Sequence, residues 1–252
     1  MQKIKFKIAS KYHHLEEELK RLHDIFDINQ NEIYKGRNSL KEFEFDEKPF
    51  IIKSFKIPNL FKKIIYAILN RSKAQKSFEH AIELENAKVN TPTPVGYISY
   101  YVLGLLQKSY YVCEKVDYEF TFHDVIQDRV KGSTDLFLQF AEFTFNLHQK
   151  GFLHLDYTPG NIVIKRRGDV FEFNLVDLNR MTLGHVTWQM GAKCFGKIYL
   201  KPEDMQIVVD RYASLCSVSS DKIMVLVEST HQSYERFKKF KKVLRFWRKE
   251  GD

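Results

Sequence analysis

One short segment of the sequence contains the residue types that could do chemistry. His154, Asp156 and Asn161 stand in the order H-x-D-x-x-x-x-N, after a helical apolar pattern and directly before an apolar strand pattern. Phosphoryl transfer needs a carboxylate that takes the proton of the acceptor hydroxyl and a nearby oxygen ligand for Mg²⁺. Asp156 and Asn161 have the types and the spacing for these two tasks. We expect His154 to brace the loop rather than to react.

This spacing resembles the catalytic loop of protein kinases, and two charged residues elsewhere fit the same resemblance. Asp177 follows an apolar strand pattern at 173–176 and begins the triplet Asp-Leu-Asn, where a kinase places a carboxylate that binds Mg²⁺. Lys53 ends the apolar run at 50–52, where a kinase places the lysine that contacts the α- and β-phosphates of ATP. We therefore expect Asn161 and Asp177 to bind the metal and Lys53 to bind the nucleotide.

A glutamate on the helix that follows Lys53 is expected to pair with this lysine. Glu79 and Glu83 lie four residues apart and therefore on one face of the predicted helix. We favour Glu79, because the apolar residues beside it can pack into the lobe, and Glu83 remains the alternative. Gly36 and Glu114 are the further residues that we expect to contact the nucleotide.

Each of these residues has a purely structural explanation when it is taken alone. Charged residues are common at strand ends and on helix surfaces, and a buried histidine is usually a hydrogen-bonded part of the core. The catalytic interpretation is favoured because the residues stand in the order, and on the predicted elements, that a kinase requires. The alternatives are a solvated strand end for Lys53, a surface charge for Glu79, a turn former for Asp177, a core residue for His154 and a strand-start cap for Asn161.

The ordered set as a whole resembles the lipopolysaccharide kinase (Kdo/WaaP) family, a branch of the protein-kinase-like fold. Members of that family share a glycine-poor phosphate loop, a Pro-rich step and an arginine after the metal-binding turn. In this sequence the segment TPTPVG at 91–96 resembles the Pro-rich step, and Arg180 resembles the arginine. The resemblance covers roughly residues 32–180. It implies phosphorylation, with ATP and Mg²⁺, of a sugar hydroxyl of heptose or Kdo in the inner core of lipopolysaccharide.

Several positions depart from the pattern of ordinary protein kinases. The turn between the first two predicted strands has Gly36 but no G-x-G-x-x-G. Leu155 replaces the arginine that reads a phosphorylated activation loop, and Thr158 stands where Ser/Thr kinases usually have a lysine. The residues after Asn179 are too few for full peptide-docking helices. A small molecule or a glycolipid is therefore the expected acceptor.

Two other functions remain open at this level. One is a Ser/Thr/Tyr protein kinase, and the other is a non-catalytic binding module with the kinase fold. The glycine-poor loop permits the second function, whereas the complete set of Lys, Glu, Asp, Asn and Asp argues against it.

The elements expected around these residues form an α+β protein with two lobes. The pattern predicts a β-rich N-lobe at 1–114, with about five strands plus helices, and a small, mainly helical C-lobe at 115–252. The N-lobe would bind the nucleotide and would carry an amphipathic insertion at 57–72. The C-lobe would contain the catalytic loop, the Mg²⁺-binding turn and a basic C-terminal helix. Helices are predicted at 14–26, 73–87 and 134–149.

The charge of the chain is concentrated in two stretches. In total, 40 Lys and Arg against 32 Asp and Glu leave a net charge of +8, which suggests a polyanionic partner. Residues 53–76 include seven basic and no acidic residues, and residues 235–250 include eight basic and two acidic residues. Both surround apolar stripes, at 57–69 and along the tail, which could lie on an anionic membrane or pack on the domain. Nucleic acid is the less expected partner, because no recognition motif accompanies these stretches.

The remaining signals concern location and cysteine chemistry. No apolar run approaches the ~20 residues of a membrane-spanning helix, and the first residues lack the apolar core of a signal peptide. We therefore expect a cytoplasmic protein, in keeping with a peripheral position at the inner membrane. Cys113, Cys194 and Cys216 form no CxxC, so that neither a disulfide framework nor a zinc site is indicated.

Overall fold

The structure of the chain is a computed structural model. The amphipathic stretch predicted at 57–69 lies outside the residues that it describes. The described residues are 2–36, 38–56, 71–198 and 200–249.

The chain divides into two compact units. The segment around Asp177 belongs to the first unit, although it follows much of the second unit in sequence. The predicted boundary after residue 114 and the assignment of the lobes to nucleotide binding and catalysis stay predictions. The first unit comprises Met1–Asp117 with Asn174–Arg180, and the second comprises Tyr118–Phe173 with Met181–Asp252.

The first unit is built on an antiparallel sheet with the strand order β1-β5-β6-β4-β3-β2. In the described part of the chain this sheet has six strands rather than about five, because the N-terminal strand pairs along its whole length with β5. The strands are β1 (Gln2–Ile8), β2 (Glu32–Lys35), β3 (Ser39–Phe45), β4 (Lys48–Ser54), β5 (Pro94–Val102) and β6 (Leu105–Glu114).

Tight turns set the register of the strand that carries Lys53. Asp46 and Glu47 join β3 to β4 with φ of 49° and 60°, and Leu103 and Gly104 join β5 to β6 with φ of 49° and 76°. Positive φ at both central residues is typical of the turns whose twist matches a two-residue hairpin. These turns fix how β4 pairs with its neighbours, and therefore on which face of the sheet the Lys53 side chain lies.

The single helix predicted at 14–26 forms as short pieces instead. They are a 3-10 helix (Ser10–Leu15), α1 (Glu16–Lys20) and α2 (Leu22–Ile25), and Arg21 between the last two has a non-helical ψ of 5°. The apolar residues of the pattern are nevertheless buried against the sheet. The apolar spacing therefore identified the buried face correctly but not the breaks in the helix.

The helix predicted at 73–87 forms as α3 (Lys73–Asn86). Its start is set by Ser72, whose hydroxyl accepts a hydrogen bond of 3.1 Å from the backbone N–H of Gln75, as in an N-cap. One face of the helix is apolar, and the helix packs against β5, β6 and the turn at Leu178–Arg180. The buried residues of this face are Ala74, Phe78, Ala81 and Leu84.

The second unit is mainly helical, as the sequence predicts. Its longest buried helix, α5, spans the predicted residues Thr134–Gln149, begins at the Ser133 cap and is followed by Gly151 with φ of 81°. The other elements are β7 (Phe120–Thr121), α4 (Phe122–Ile126), β8 (Phe152–His154), β9 (Ile162–Arg167), β10 (Val170–Leu175), β11 (Met181–Leu183), α6 (Trp188–Phe195), α7 (Pro202–Cys216) and α8 (Ser220–Lys249).

The last helix, α8, includes most of the basic tail predicted at 235–250. Ile223 and Val227 in its first half are buried, and α6 and α7 pack against the helix. Residues 236–241, by contrast, are all exposed. Among the described residues, no helix has both the length and the apolar character needed to cross a membrane.

Candidate active site

Lys53 and Asp177 form an ion pair within the first unit. Lys53 Nζ lies 2.6 Å from Asp177 Oδ1 and 5.4 Å from the centroid of the Phe55 ring. Both charged side chains are largely withdrawn from water, which strengthens their attraction. Because an ammonium has three N–H donors, Lys53 can bond Asp177 and still donate to a phosphate oxygen.

The backbone of Asp177 is strained. Its φ is 59°, in the left-handed region, which costs a non-glycine residue about 1–2 kcal/mol. The side-chain amide of Asn179 donates a hydrogen bond to the Asp177 carboxylate. Strain of this kind persists only where the surroundings hold it, and it is concentrated at functional sites.

Polar groups from the end of α3 and the segment after it hold the residues on either side of Asp177. The Thr91 hydroxyl donates to the Leu175 carbonyl at 2.8 Å, and the Leu175 N–H donates to the Asn90 carbonyl at 3.1 Å. On the other side, His80 Nδ1 lies 2.7 Å from the Leu178 carbonyl, which can only accept. The strand before Asp177 and the turn after it are therefore both fixed to the first unit.

Three of these residues were missed by the sequence reasoning. Burial lowers the pKa of His80 below its ordinary value, although the hydrogen bond to Leu178 opposes this effect in part. His80 is therefore neutral at pH 7 and carries its proton on Nδ1. Thr91 belongs to the Pro-rich step at 91–96, which the sequence indicated only as a feature of the family resemblance. Neither His80 nor Asn90 stands in a pattern that could have identified it.

Glu79 does not pair with Lys53 in this structure. Its carboxylate accepts hydrogen bonds from the guanidinium of Arg71 and, at 2.9 Å, from the side-chain amide of Gln75. Burial alone would raise the pKa of Glu79, but these two donors lower it below its ordinary value. Arg71 lies just before α3 and reaches along the helix, whereas Lys53 has Asp177 as its partner. The alternative, Glu83, is an exposed residue of α3.

Gly36 and Glu114, the other two residues expected to contact the nucleotide, lie toward opposite ends of the strands in the sheet of the first unit. Gly36 is exposed in the turn between β2 and β3. Glu114 ends β6, and its carboxylate accepts hydrogen bonds from the Tyr12 hydroxyl and, at 3.3 Å, from the Lys11 ammonium. Burial would raise the pKa of Glu114, but the bonds from Tyr12 and Lys11 lower it. The N-terminal 3-10 helix thus binds the residue at the end of β6, a contact that the sequence did not predict.

Hydrogen bonds around Asp156 shape the predicted catalytic loop in the second unit. His154 is buried, and its Nδ1 accepts a bond of 3.2 Å from the Asp156 N–H. The side-chain amide of Asn161 donates to the Asp156 carbonyl at 2.8 Å, as does the Thr158 N–H. The amide nitrogen of Asn161 is used in this bond, so that its amide oxygen is the atom suited to bind a metal.

Tyr157 anchors the same loop in the core of the second unit, and the sequence did not predict this role. It is fully buried, it stacks on Phe140 at 6.0 Å with the planes 10° apart, and its hydroxyl lies 2.8 Å from that of Thr144. Phe140 and Thr144 both belong to α5. The side chain next to Asp156 in sequence is therefore part of the helical core, which orients Asp156 outward. An aromatic residue inside a polar loop was the available signal.

Five of the predicted residues thus form two groups, one in each unit. The first contains Lys53 paired with Asp177, and the second contains His154, Asp156 and Asn161 within one loop. A carboxylate and an amide oxygen are ligands that Mg²⁺ accepts together with phosphate oxygens. Asp177 in the first group and Asn161 in the second therefore each offer an oxygen of a type that Mg²⁺ accepts.

Comparison with known proteins identifies the family. A sequence model of the lipopolysaccharide kinase (Kdo/WaaP) family matches residues 53–190, more than half of the chain. The chain belongs to this family. The match begins at Lys53 and includes all the predicted residues except Gly36. No curated protein sequence matches the chain.

Solved structures show the fold of this family member. A structure described as WaaP in complex with acyl carrier protein superposes with a TM-score of 0.64 at 16% identity, over 92% of this chain and 98% of that one. The bifunctional kinase-methyltransferase WbdD superposes with a TM-score of 0.49 at 14% identity, over 81% of this chain and 46% of that one. The kinase-like fold predicted from the sequence is confirmed. Family membership makes the chain a phosphotransferase that uses ATP and acts on a sugar hydroxyl.

Proposed function

We propose that this kinase transfers the γ-phosphoryl group of ATP to a hydroxyl of heptose or Kdo in the inner core of lipopolysaccharide, with Mg²⁺ as cofactor. The observation that carries the proposal is the loop around Asp156, in which two side chains and the loop backbone hold the Asp156 backbone from which its carboxylate extends. The absence from the sequence of a lysine at position 158 and of an arginine at position 155 favours a non-peptide acceptor.

In this proposal each residue of the two groups has one task. Asp156 orients the acceptor hydroxyl and takes its proton, while the acceptor oxygen bonds to the γ-phosphorus and the bond from phosphorus to the β,γ-bridging oxygen breaks. Lys53 neutralises the α- and β-phosphates, and Asn161 and Asp177 are the metal ligands. When bound, Mg²⁺ would add positive charge at the phosphates. Most of the acceleration would come from positioning and charge stabilisation.

The test is transfer of labelled phosphate from ATP to core oligosaccharide acceptors. We expect Asp156→Asn to lower the rate about 10²–10⁴-fold, because the proton acceptor is lost. Asp169→Asn, an exposed turn residue, is the matched control and should retain the rate. Full transfer by Asp156→Asn would contradict the assignment. Transfer of label to protein instead of the glycolipid would indicate a protein kinase, and absent binding of Mg·ATP would indicate a binding module.

The same proposal places the enzyme at an anionic membrane surface, on the cytoplasmic face of the inner membrane. On the far part of α8, Phe237 and Phe240 are 50% and 60% exposed, and Lys238, Lys239 and Lys241 beside them are exposed as well. Exposed aromatic residues among lysines suit the interface of anionic lipids, where each lysine adds about 1 kcal/mol.

Sedimentation with vesicles tests this part of the proposal. Vesicles with phosphatidylglycerol should bind the protein more tightly than neutral vesicles, and replacement of both Phe237 and Phe240 by serine should weaken binding. Val225→Ser, at another exposed apolar residue of α8, is the control. Equal binding by both vesicle types would contradict the proposal. The similar WaaP structure contains acyl carrier protein. If purified acyl carrier protein binds at this surface of α8, the surface would be a site for a protein partner rather than for the membrane.

A further inference from the structure

Lys197, which lies outside every motif considered above, reaches the catalytic loop. It follows α6 in the second unit, and its ammonium donates a hydrogen bond to the carbonyl of Leu155, the residue directly before Asp156. A positive charge from a distant part of the sequence is therefore placed at the residue directly before the candidate catalytic Asp156.

The backbone that carries Lys197 is firmly held. The Ile198 N–H donates to the Phe195 carbonyl at 2.8 Å, and both of these side chains are buried. At Gly196, a Cβ atom would lie only 2.6 Å from the Thr230 Cβ, so that the turn packs directly against α8. The backbone from which the Lys197 side chain extends is thus held by the core, which favours a catalytic group.

The Leu155 carbonyl does not need Lys197 as its hydrogen-bond donor. Leu155 is 48% exposed, so that water could bond its carbonyl without loss. An ammonium has three donors, and the hydrogen bond that the described residues show for the Lys197 ammonium goes to the backbone carbonyl of Leu155. The remaining donors are therefore available to a substrate.

The catalytic loop has no cation of its own. From His154 to Asn161 there is neither lysine nor arginine, and Thr158 occupies the position where Ser/Thr kinases usually have a lysine. Phosphoryl transfer builds charge on the transferred group, and preorganised cations near it lower the barrier. We propose that Lys197 is a catalytic residue whose ammonium binds the transferred phosphoryl group in the transition state. This inference rests on the proposed function and adds a residue to it.

The experiment measures transfer to the core acceptor by the full chain. Lys197→Met should lower kcat about 10²–10³-fold, as for other lost transition-state donors. It should leave both KM values and the thermal shift by Mg·ADP unchanged. The double variant Lys197→Met/Thr158→Lys should recover at least part of kcat, because it returns a cation to the loop; Thr158 makes no side-chain cap bond that this change would remove. Lys193→Met, at an exposed residue of α6, is the control.

Several outcomes would overturn the inference. The first is an unchanged kcat for Lys197→Met. The second is a rise in the acceptor KM alone, which would make Lys197 a binding group for an anionic acceptor. The third is a lowered Tm without recovery of kcat in the double variant, which would make Lys197 a structural residue. Each of these leaves the proposed function standing if the wild-type protein transfers phosphate. Failure of the wild-type protein to do so would overturn the function and this inference together.

Discussion

The two candidate carboxylates are held in different ways. Asp177 has a strained backbone, and polar groups of the first unit bond the residues on either side of it, while Lys53 pairs with its side chain. Asp156 stands in a loop whose next residue, Tyr157, is inserted into an aromatic core. The difference is that the Asp156 loop adds the packing of a buried aromatic ring to its hydrogen bonds, whereas the Asp177 turn adds an ion pair and a strained backbone. The two sites should therefore respond differently to the same kind of change.

The largest effect is expected where packing holds the loop. Tyr157→Ala should lower the free energy of unfolding by about 3–5 kcal/mol, because a fully buried aromatic side chain leaves a cavity. Tyr157→Phe should cost only about 1 kcal/mol, the value of the bond to Thr144. Urea unfolding measures both. Similar costs for the two variants would show that the hydroxyl, rather than the ring, holds the loop.

The site of Lys53 and Asp177 should respond most strongly to the loss of a charge. Lys53→Met should lower transfer about 10²–10³-fold and weaken binding of Mg·ATP, because it removes a donor to phosphate and the partner of Asp177. Lys53→Arg keeps the charge and should retain more binding. Binding is measured with a fluorescent ATP analogue, and Lys56→Met at an exposed neighbour is the control. Wild-type binding by Lys53→Met would remove Lys53 from the nucleotide site.

Acid should destabilise the helical core through His148 on α5. Burial lowers the pKa of His148 to about 4, and its Nδ1 bonds the Tyr212 hydroxyl at 2.9 Å. The unfolded chain takes up this proton below its ordinary pKa of about 6.5, so that stability falls as pH drops from there towards 4. From pH 7 to pH 5 the protein should lose about 2 kcal/mol more than His148→Asn. Equal losses in urea unfolding would mean that His148 is not buried in its neutral form.

The smallest effects are expected where single hydrogen bonds hold the Asp177 turn. Thr91→Val keeps the shape but removes the donor to Leu175, and should weaken Mg²⁺-dependent ADP binding by about 1 kcal/mol, roughly fivefold. His80→Leu should do the same through Leu178. Thr91→Ser and His80→Asn keep a donor and should bind as the wild type does. Titration with Mg²⁺ at fixed ADP measures this, and an unchanged midpoint in Thr91→Val would contradict it.

Local patterns predicted the elements better than the contacts between them. α5 formed at the predicted residues Thr134–Gln149, because its apolar spacing, its Ser133 cap and the following glycine are all local signals. The helix predicted at 14–26 formed as short pieces with a non-helical Arg21 between two of them, which its regular apolar spacing did not indicate. The expected partner of Lys53 was a glutamate of α3, but the structure pairs Glu79 with Arg71. Choosing among several charged partners requires distances that no spacing provides.

The sequence by itself determined the type of protein. The order and spacing of Lys53, Asp156, Asn161 and Asp177 were enough to indicate a kinase, because phosphoryl transfer requires particular ligands at positions that short loops and strand ends can supply. Only the tertiary structure decided how those residues are held. His80, Tyr157 and Lys197 act on residues far from them in sequence, and contacts of this kind depend on how the chain folds back on itself.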